Sequence, residues 1–319
     1  MARSLPPRMY KQYRVYYWAG RVSGKKKWIR LSDDYQEALF RYAEIEGSNR
    51  NTRLIRDAIL RYQGEVLPGK APKTQKERGY QLRRLYAVFG HMRLEDVKPP
   101  HIQQYLDQRE KRVAANREIR LLSTIYRHAK MWGLCEFNPC VGAFYHPEKA
   151  RDQDISDTEF ISLQEMAYPT MRAIIQIAYL TGMRRGDILD LKLSEIEDKG
   201  IRRRQGKTGK RQFFEMTSSL SGAINLAKSA RKTRNLVYLF TNNKAQKITE
   251  TGFNSAWRRL RNSCNLEHIH FHDIRGKALS DAKRKSGIDY AQMLGGHENR
   301  SQTEAYIRSR DTDIVRPLI

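Results

Sequence analysis

Apolar residues recur at helical spacing through the middle of the chain. Leu54, Ile55, Ala58, Ile59 and Tyr62 mark one face, and Ile119, Leu122, Ile125, Tyr126 and Ala129 mark a longer one. The spacing predicts helices over residues 54–62, 80–89, 100–108 and 114–132. Leu67-Pro68-Gly69-Lys70-Ala71-Pro72-Lys73 interrupts them and Asn138-Pro139 ends them. Upstream the pattern changes. Tyr13-Arg14-Val15-Tyr16-Tyr17-Trp18 is aromatic and β-prone, and Trp28-Ile29-Arg30-Leu31 reads as a returning strand. Ala19-Gly20 and Ser23-Gly24 read as turns. Ser32-Asp33 reads as the cap of a helix reaching Glu46, with Ala38, Leu39, Tyr42 and Ala43 on one face. Gly47-Ser48-Asn49 closes it.

The last half is mixed. An apolar helix is predicted over Met171 to Leu180, stopped by Gly182, which suits a left-handed position after a helix. Ile201 to Gln205 and Gln212 to Met216 read as a hairpin around Gly206-Lys207-Thr208-Gly209. Helices are predicted over Leu220–Ala230, Thr251–Asn262, His272–Lys285 and Tyr290–Leu294. The fold class is α+β and multi-domain. A small basic β-sheet module covers 1–50, an all-α domain 51–150, and a mixed, mainly helical domain 151–319.

Composition narrows the classes. No apolar run reaches the roughly 18–20 residues of a membrane span, and the basic N-terminus has no apolar stretch behind it, so neither a membrane segment nor a secretory signal is expected. Three cysteines without a Cys-x-x-Cys pair argue against a disulfide framework and fit a reducing cytoplasm. Lys and Arg number 60 against 35 Asp and Glu, a net charge of +25. Solubility needs only about 2–8 on a small domain, so the surplus points to a polyanion, with nucleic acid the default. Residues 1–32 contain no acid.

Three segments carry candidate chemistry. In Thr181-Gly182-Met183-Arg184-Arg185-Gly186-Asp187, a buried helix ends and arginines follow in the turn. Taken alone, it reads as a plain turn with solvated arginines. In His272-Asp273-Ile274-Arg275, histidine and arginine stand at i and i+3 of a predicted helix, placed to meet one phosphate. His268, His270 and His272 alternate, but no carboxylate or cysteine has helpful spacing there, so no metal is expected. In Leu294-Gly295-Gly296-His297, two glycines permit close backbone approach before a histidine, and Tyr306 follows nine residues later.

The order of these pieces, Arg184, Lys207, His272-x-x-Arg275, Gly296-His297 and Thr303-x-x-Tyr306, resembles the signature of the tyrosine recombinases (phage integrases), with Asp187 matching the acidic position three after the first arginine. The resemblance covers all of 151–319. Residues 51–150 are similar to the core-binding domain of such enzymes, and 1–50, over a shorter stretch, to an arm-type DNA-binding domain. It implies site-specific cutting and rejoining of duplex DNA, without metal, ATP or other cofactor, to integrate and excise a mobile element. The alternative is a type IB topoisomerase-like strand transferase. Tyr306 is implied as the nucleophile, forming a 3′-phosphotyrosine, and Arg184 and Arg275 as the clamp on the phosphate oxygens. Lys207 is the implied general acid, with Lys210 and Arg211 adjoining it in the same turn. His272 is implied as base or proton shuttle and His297 as hydrogen-bond donor to the phosphate, with Asp187 in support. Lys25, Lys26, Lys27, Lys70, Lys73 and Lys210 are candidate DNA contacts. Implied partners are double-stranded attachment sites, further copies in a homotetramer, a DNA-bending host protein and an excisionase. The implied location is the bacterial cytoplasm, with the nucleoid.

Overall fold

A computed structural model describes residues 5–22, 25–46, 54–148, 153–231 and 237–308. The chain divides into two compact units, Met1–Glu148 and Lys149–Ile319.

The first unit opens with an antiparallel sheet in the order β1 (Met9–Gln12), β2 (Val15–Val22), β3 (Lys25–Ser32). The turn between β1 and β2 falls at Tyr13, fully exposed and left-handed at φ 54°. Ala19-Gly20, expected as a turn, lies inside β2 instead. The reason is local. The Trp18 indole lies over Gly20, where a Cβ would sit 2.3 Å from a ring carbon, so the glycine makes room for a side chain and does not bend the strand. Ser23-Gly24 and Gly47-Ser48-Asn49 lie outside the described residues. Helix α1 (Tyr35–Glu46) starts one residue later than Ser32-Asp33 suggests. Asp34 is the cap, its carboxylate accepting from the backbone N–H groups of Gln36 and Glu37 at 2.8 and 2.9 Å.

Behind the sheet run α2 (Ile55–Arg61), a π-helical turn (Tyr62–Val66), a 3₁₀ turn (Leu67–Gly69), α3 (Pro72–Phe89), α4 (Pro99–Gln108) and α5 (Arg112–Met131). Helix α3 begins at Pro72, well before the expected Tyr80, because proline fits the first helical turn while the polar stretch behind it gives no periodic signal. Ile59, Tyr62, Leu85, Ile102, Leu122, Ile125 and Tyr126 are fully buried in the bundle core. Leu60 is buried with Trp18, Leu31 and Tyr42 of the sheet module, and Tyr86 packs against both clusters. Cys135 and Cys140 are buried free thiols, and burial pushes the Cys140 thiol up to about 12.

The second unit contains α6 (Asp157–Met166), α7 (Pro169–Thr181), α8 (Arg185–Leu189), the antiparallel strands β4 (Ile196–Glu197), β5 (Gly200–Arg204) and β6 (Arg211–Glu215), then α9 (Ser218–Ser229), α10 (Glu250–Ser263), α11 (Phe271–Gly295) and α12 (Arg300–Arg308). Helix α7 is the apolar centre: Met171, Ile174, Ile175, Ile177 and Ala178 are buried with Leu220, Ile224, Phe253 and Ile274. Phe271 meets Phe253 and Trp257 edge-on, with ring centroids 4.8 and 5.3 Å apart. The two helices expected after His272 form one run broken at Gly287, whose φ of 84° and ψ of 171° are not helical. No helix among the described residues is long and apolar enough to cross a membrane.

Candidate active site

The site begins where α7 stops. The Thr181 hydroxyl donates to the Ile177 carbonyl at 2.6 Å and accepts from the Met183 N–H at 3.3 Å. Gly182 takes the left-handed conformation at φ 59°, where a side chain would press Leu294 Cγ at 3.2 Å. The chain therefore reverses, and Arg184 lands at the N-cap of α8, partly buried, its guanidinium donating to Gln205 Oε1.

Asp187 braces the hairpin. It is buried, accepts the Gly206 N–H at 2.7 Å, and lies 3.4 Å from Arg203, which also donates to Glu195 at 2.9 Å. The turn closes through Gln205 N–H to the Lys210 carbonyl and Gly209 N–H to the Gln205 carbonyl, both 2.9 Å. Lys207 is exposed in this turn. Lys210 has a different fate: its ammonium donates to the His297 carbonyl at 3.2 Å.

Gln205 is the hub. Buried, it accepts from Arg184 and from the Thr208 hydroxyl (2.8 Å) and donates to Gln212 Oε1 and, at 3.5 Å, to the Gly295 carbonyl. Gln212 in turn donates to the Met293 carbonyl at 2.7 Å. The hairpin is thereby pinned to the end of α11. Gly296, left-handed at φ 60°, lies against this pair, and a Cβ there would sit 2.1 Å from Gln205 Nε2. This is the close approach that the Gly-Gly pair promised.

Arg275 is buried and donates to the Gly182 carbonyl, to the Gly295 carbonyl at 2.7 Å, and toward His297 Nε2 at 2.8 Å. His272 shares its helix but not its depth, standing exposed in the first turn of α11. The other face of His297 meets Thr303: Nδ1 lies 2.9 Å from its hydroxyl. Burial first, then the charges of Arg275, Arg184 and Lys210, push the His297 imidazole down to about 4. The ring is neutral at pH 7. Nε2, on the ring that the resemblance makes a donor to phosphate, faces Arg275.

Thr303 is fully buried on α12, and the backbone of Tyr306 continues that helix one turn later. The Tyr306 side chain lies outside the described residues. Arg184, Arg275, His297 and Lys210 are thus drawn together, while Lys207 and His272 stand exposed. Lys26 and Lys27 on β3 are exposed, as are Lys70 and Lys73 where α3 begins. The side chain of Lys25 is outside the described residues. His268 binds Glu159 at 3.0 Å on α6. Gln205, Gln212 and Arg203 give no signal in the sequence beyond being polar residues on the predicted hairpin strands, whereas Thr303 is marked by the Thr303-x-x-Tyr306 spacing but not by its depth.

Residues 158–313 match the phage integrase family. The integrase of Escherichia phage HK022 is 23% identical over 340 residues, covering 97% of this chain and 94% of that protein. The integrase of Enterobacteria phage P21 is 24% identical, over 76% and 70% of the two chains. Among solved structures, a lambda integrase dimer bound to a COC' core site superposes with a TM-score of 0.71 at 18% identity, covering 99% of both chains. The Tn1549 transposon integrase in complex with circular intermediate DNA gives 0.69 at 14% identity, over 82% of this chain and 97% of that one. The fold runs the length of lambda integrase, and residues 158–313, which carry the site just described, form a phage integrase family domain.

Proposed function

We propose that the protein is a site-specific recombinase that cuts and rejoins duplex DNA through a 3′-phosphotyrosine on Tyr306, integrating and excising a mobile element. The observation that carries this reading is the convergence of Arg184 and Arg275 on one glutamine–glycine hub, with His297 joining Arg275 to the helix that bears Tyr306.

A phosphodiester repels nucleophiles because it is anionic. Arg184 and Arg275, held by neutral partners, keep their charge for the non-bridging oxygens and for the extra charge of the transition state. The Tyr306 oxygen attacks phosphorus and the bond to the 5′-oxygen breaks. The phenol proton goes to His272, at the solvent edge, and the leaving oxygen takes one from Lys207, exposed in its turn. Lys210 is already engaged by the His297 carbonyl, which favours Lys207 as the acid. The phosphotyrosine conserves the bond energy, so a 5′-hydroxyl reverses the step and the reaction requires neither ATP nor metal.

Residues 51–150 serve as the core-binding domain and 1–50 as an arm-type module reading a second site, with Lys26, Lys27, Lys70 and Lys73 among the phosphate contacts. The working form is a homotetramer on two attachment sites in the bacterial cytoplasm, assisted by a DNA-bending host protein and an excisionase. The topoisomerase alternative is not favoured, since the matched relatives are integrases and recombinases.

The test is a nicked duplex that traps the covalent complex. Wild-type protein is expected to become attached to DNA, whereas Tyr306→Phe binds the duplex without attachment. An adduct formed by Tyr306→Phe removes the nucleophile assignment. Plasmid relaxation without recombinant products removes the recombinase reading.

A further inference from the structure

We propose that Thr303 is a positioning residue: its buried hydroxyl accepts the Nδ1 proton of His297, turns Nε2 toward Arg275, and so ties the helix bearing the nucleophile to the arginine clamp. The proposal rests on the recombinase reading only for its consequence, not for its geometry.

The proton can be placed by elimination. Arginine is always a donor and has no lone pair to offer. The 2.8 Å approach of Arg275 Nη2 to His297 Nε2 therefore requires an unprotonated Nε2. An imidazolium would set two N–H groups against each other. A neutral ring then carries its one proton on Nδ1, and the atom 2.9 Å from Nδ1 is Thr303 Oγ1, which must accept it. The depressed titration of His297 agrees with a neutral ring. The hydroxyl fixes the tautomer as second partners of histidine do elsewhere.

The location gives the bond its consequence. Thr303 is fully buried, and Ile307, one turn on, is buried with Leu279, Ala282 and Ala291 of α11. These two residues dock α12. The chain Arg275–His297–Thr303 ends one helical turn from Tyr306. When α12 is docked, His297 presents a lone pair to Arg275. When α12 leaves, Nδ1 loses its acceptor, the tautomer is no longer held, and Arg275 loses an oriented partner. Docking of the nucleophile's helix and readiness of the clamp become one event.

Tautomer spectra, adduct formation and DNA binding test this. Nitrogen-15 spectra of the DNA-free protein, with the His297 signals assigned by loss in His297→Gln, should show Nδ1 protonated and Nε2 bare. Thr303→Val, which keeps the shape and removes the acceptor, should give mixed tautomers and, on the nicked duplex, slow adduct formation roughly 5- to 100-fold, the range for stranding one buried donor. Non-covalent DNA binding should be unchanged. Thr303→Ser, which keeps the oxygen, should restore both the tautomer and the rate. A wild-type His297 protonated on Nε2, or a Thr303→Val protein with the wild-type tautomer, overturns the proposal. Should Thr303→Val fail to fold, the wild-type and serine spectra still decide. Absence of any wild-type adduct would count against the recombinase reading instead, because the spectra need no DNA.

Discussion

Replacing Gly296 with alanine separates two effects that a glycine can hide. The first is backbone. At φ 60° an L-residue is strained by about 1–2 kcal/mol. The second is space. The added Cβ would lie 2.1 Å from Gln205 Nε2 and 2.7 Å from Gln212 Oε1. The end of a glutamine side chain is usually cheap to move. Here it is buried and bonded to Arg184, Thr208, Gln212 and Gly295, and stranding one such buried group costs about 1–3 kcal/mol. The expected total is about 2–5 kcal/mol of stability. Arg184 loses its partner in the process, and under the proposed mechanism a clamp residue displaced by about 1 Å loses on the order of 10²-fold in rate. Gly133 supplies the control. It is left-handed at φ 71°, and a Cβ added there would meet nothing within 4 Å, so Gly133→Ala should show the strain alone, about 1–2 kcal/mol, with adduct formation unchanged. Denaturant unfolding and the trapped-adduct assay measure the two quantities. Equal losses of stability in the two variants, with wild-type cleavage by Gly296→Ala, would refute the role given to the glutamine hub.

The remaining predictions concern charge. Because His297 titrates near 4 in the folded protein and about 6.5 when unfolded, the unfolded chain binds the extra proton between these values. Stability is therefore full above about pH 6.5 and falls on acidification through the window, by up to about 1.4 kcal/mol per pH unit. His297→Gln should flatten that part of the profile in denaturant titrations between about pH 7 and 4.5, and an unchanged slope would remove the assignment. For the general acid, Lys207→Ala should slow cleavage of normal DNA and be rescued by a substrate with a 5′-sulfur leaving group, which needs no proton. Lys210→Ala should not be rescued, since its ammonium holds the His297 carbonyl, and the reverse pattern would exchange the two roles. Asp187→Asn should cost about 1–3 kcal/mol by weakening the bond to Gly206 and removing one of the two carboxylates that meet Arg203, the other being Glu195, as read by thermal unfolding. Unchanged stability would deny Asp187 its bracing role.

Periodicity makes α5 and α7 legible because each buries an apolar stripe along its length. It fails where a contact two residues away decides the conformation. Gly20 reads as a turn residue until the Trp18 indole is seen to cover it. Helix α3 reads short because its polar first turns bury little. The site divides in the same way. Arg184, Arg275, His297 and Tyr306 stand out through type and order, and Gly182 and Gly296 through the bends they permit. Depth is not visible: His272 and Arg275, three residues apart, are respectively exposed and buried. Gln205 and Gln212 escape notice for a related reason. A neutral polar residue in a polar sequence reads as surface, and only the tertiary structure reveals that its hydrogen bonds are made inside the protein.

That burial of neutral polar groups bears on the net charge of +25. Cations gathered at one site, as the proposed mechanism requires for one phosphate, repel each other. Arg184 is met by an amide oxygen, Arg275 by two backbone carbonyls and an imidazole, and Lys210 by a carbonyl. None of these five contacts is with a carboxylate, and Asp187, the acid nearest in sequence to Arg184, is turned toward Gly206 and Arg203. A carboxylate partner would bind the guanidinium more tightly but neutralise the charge that the phosphate must meet. Dipoles hold the cations in place and leave their charge available. The same logic separates these groups from the exposed lysines of β3 and α3, whose charge is screened by salt and which, as the proposed phosphate contacts, would release counterions from DNA.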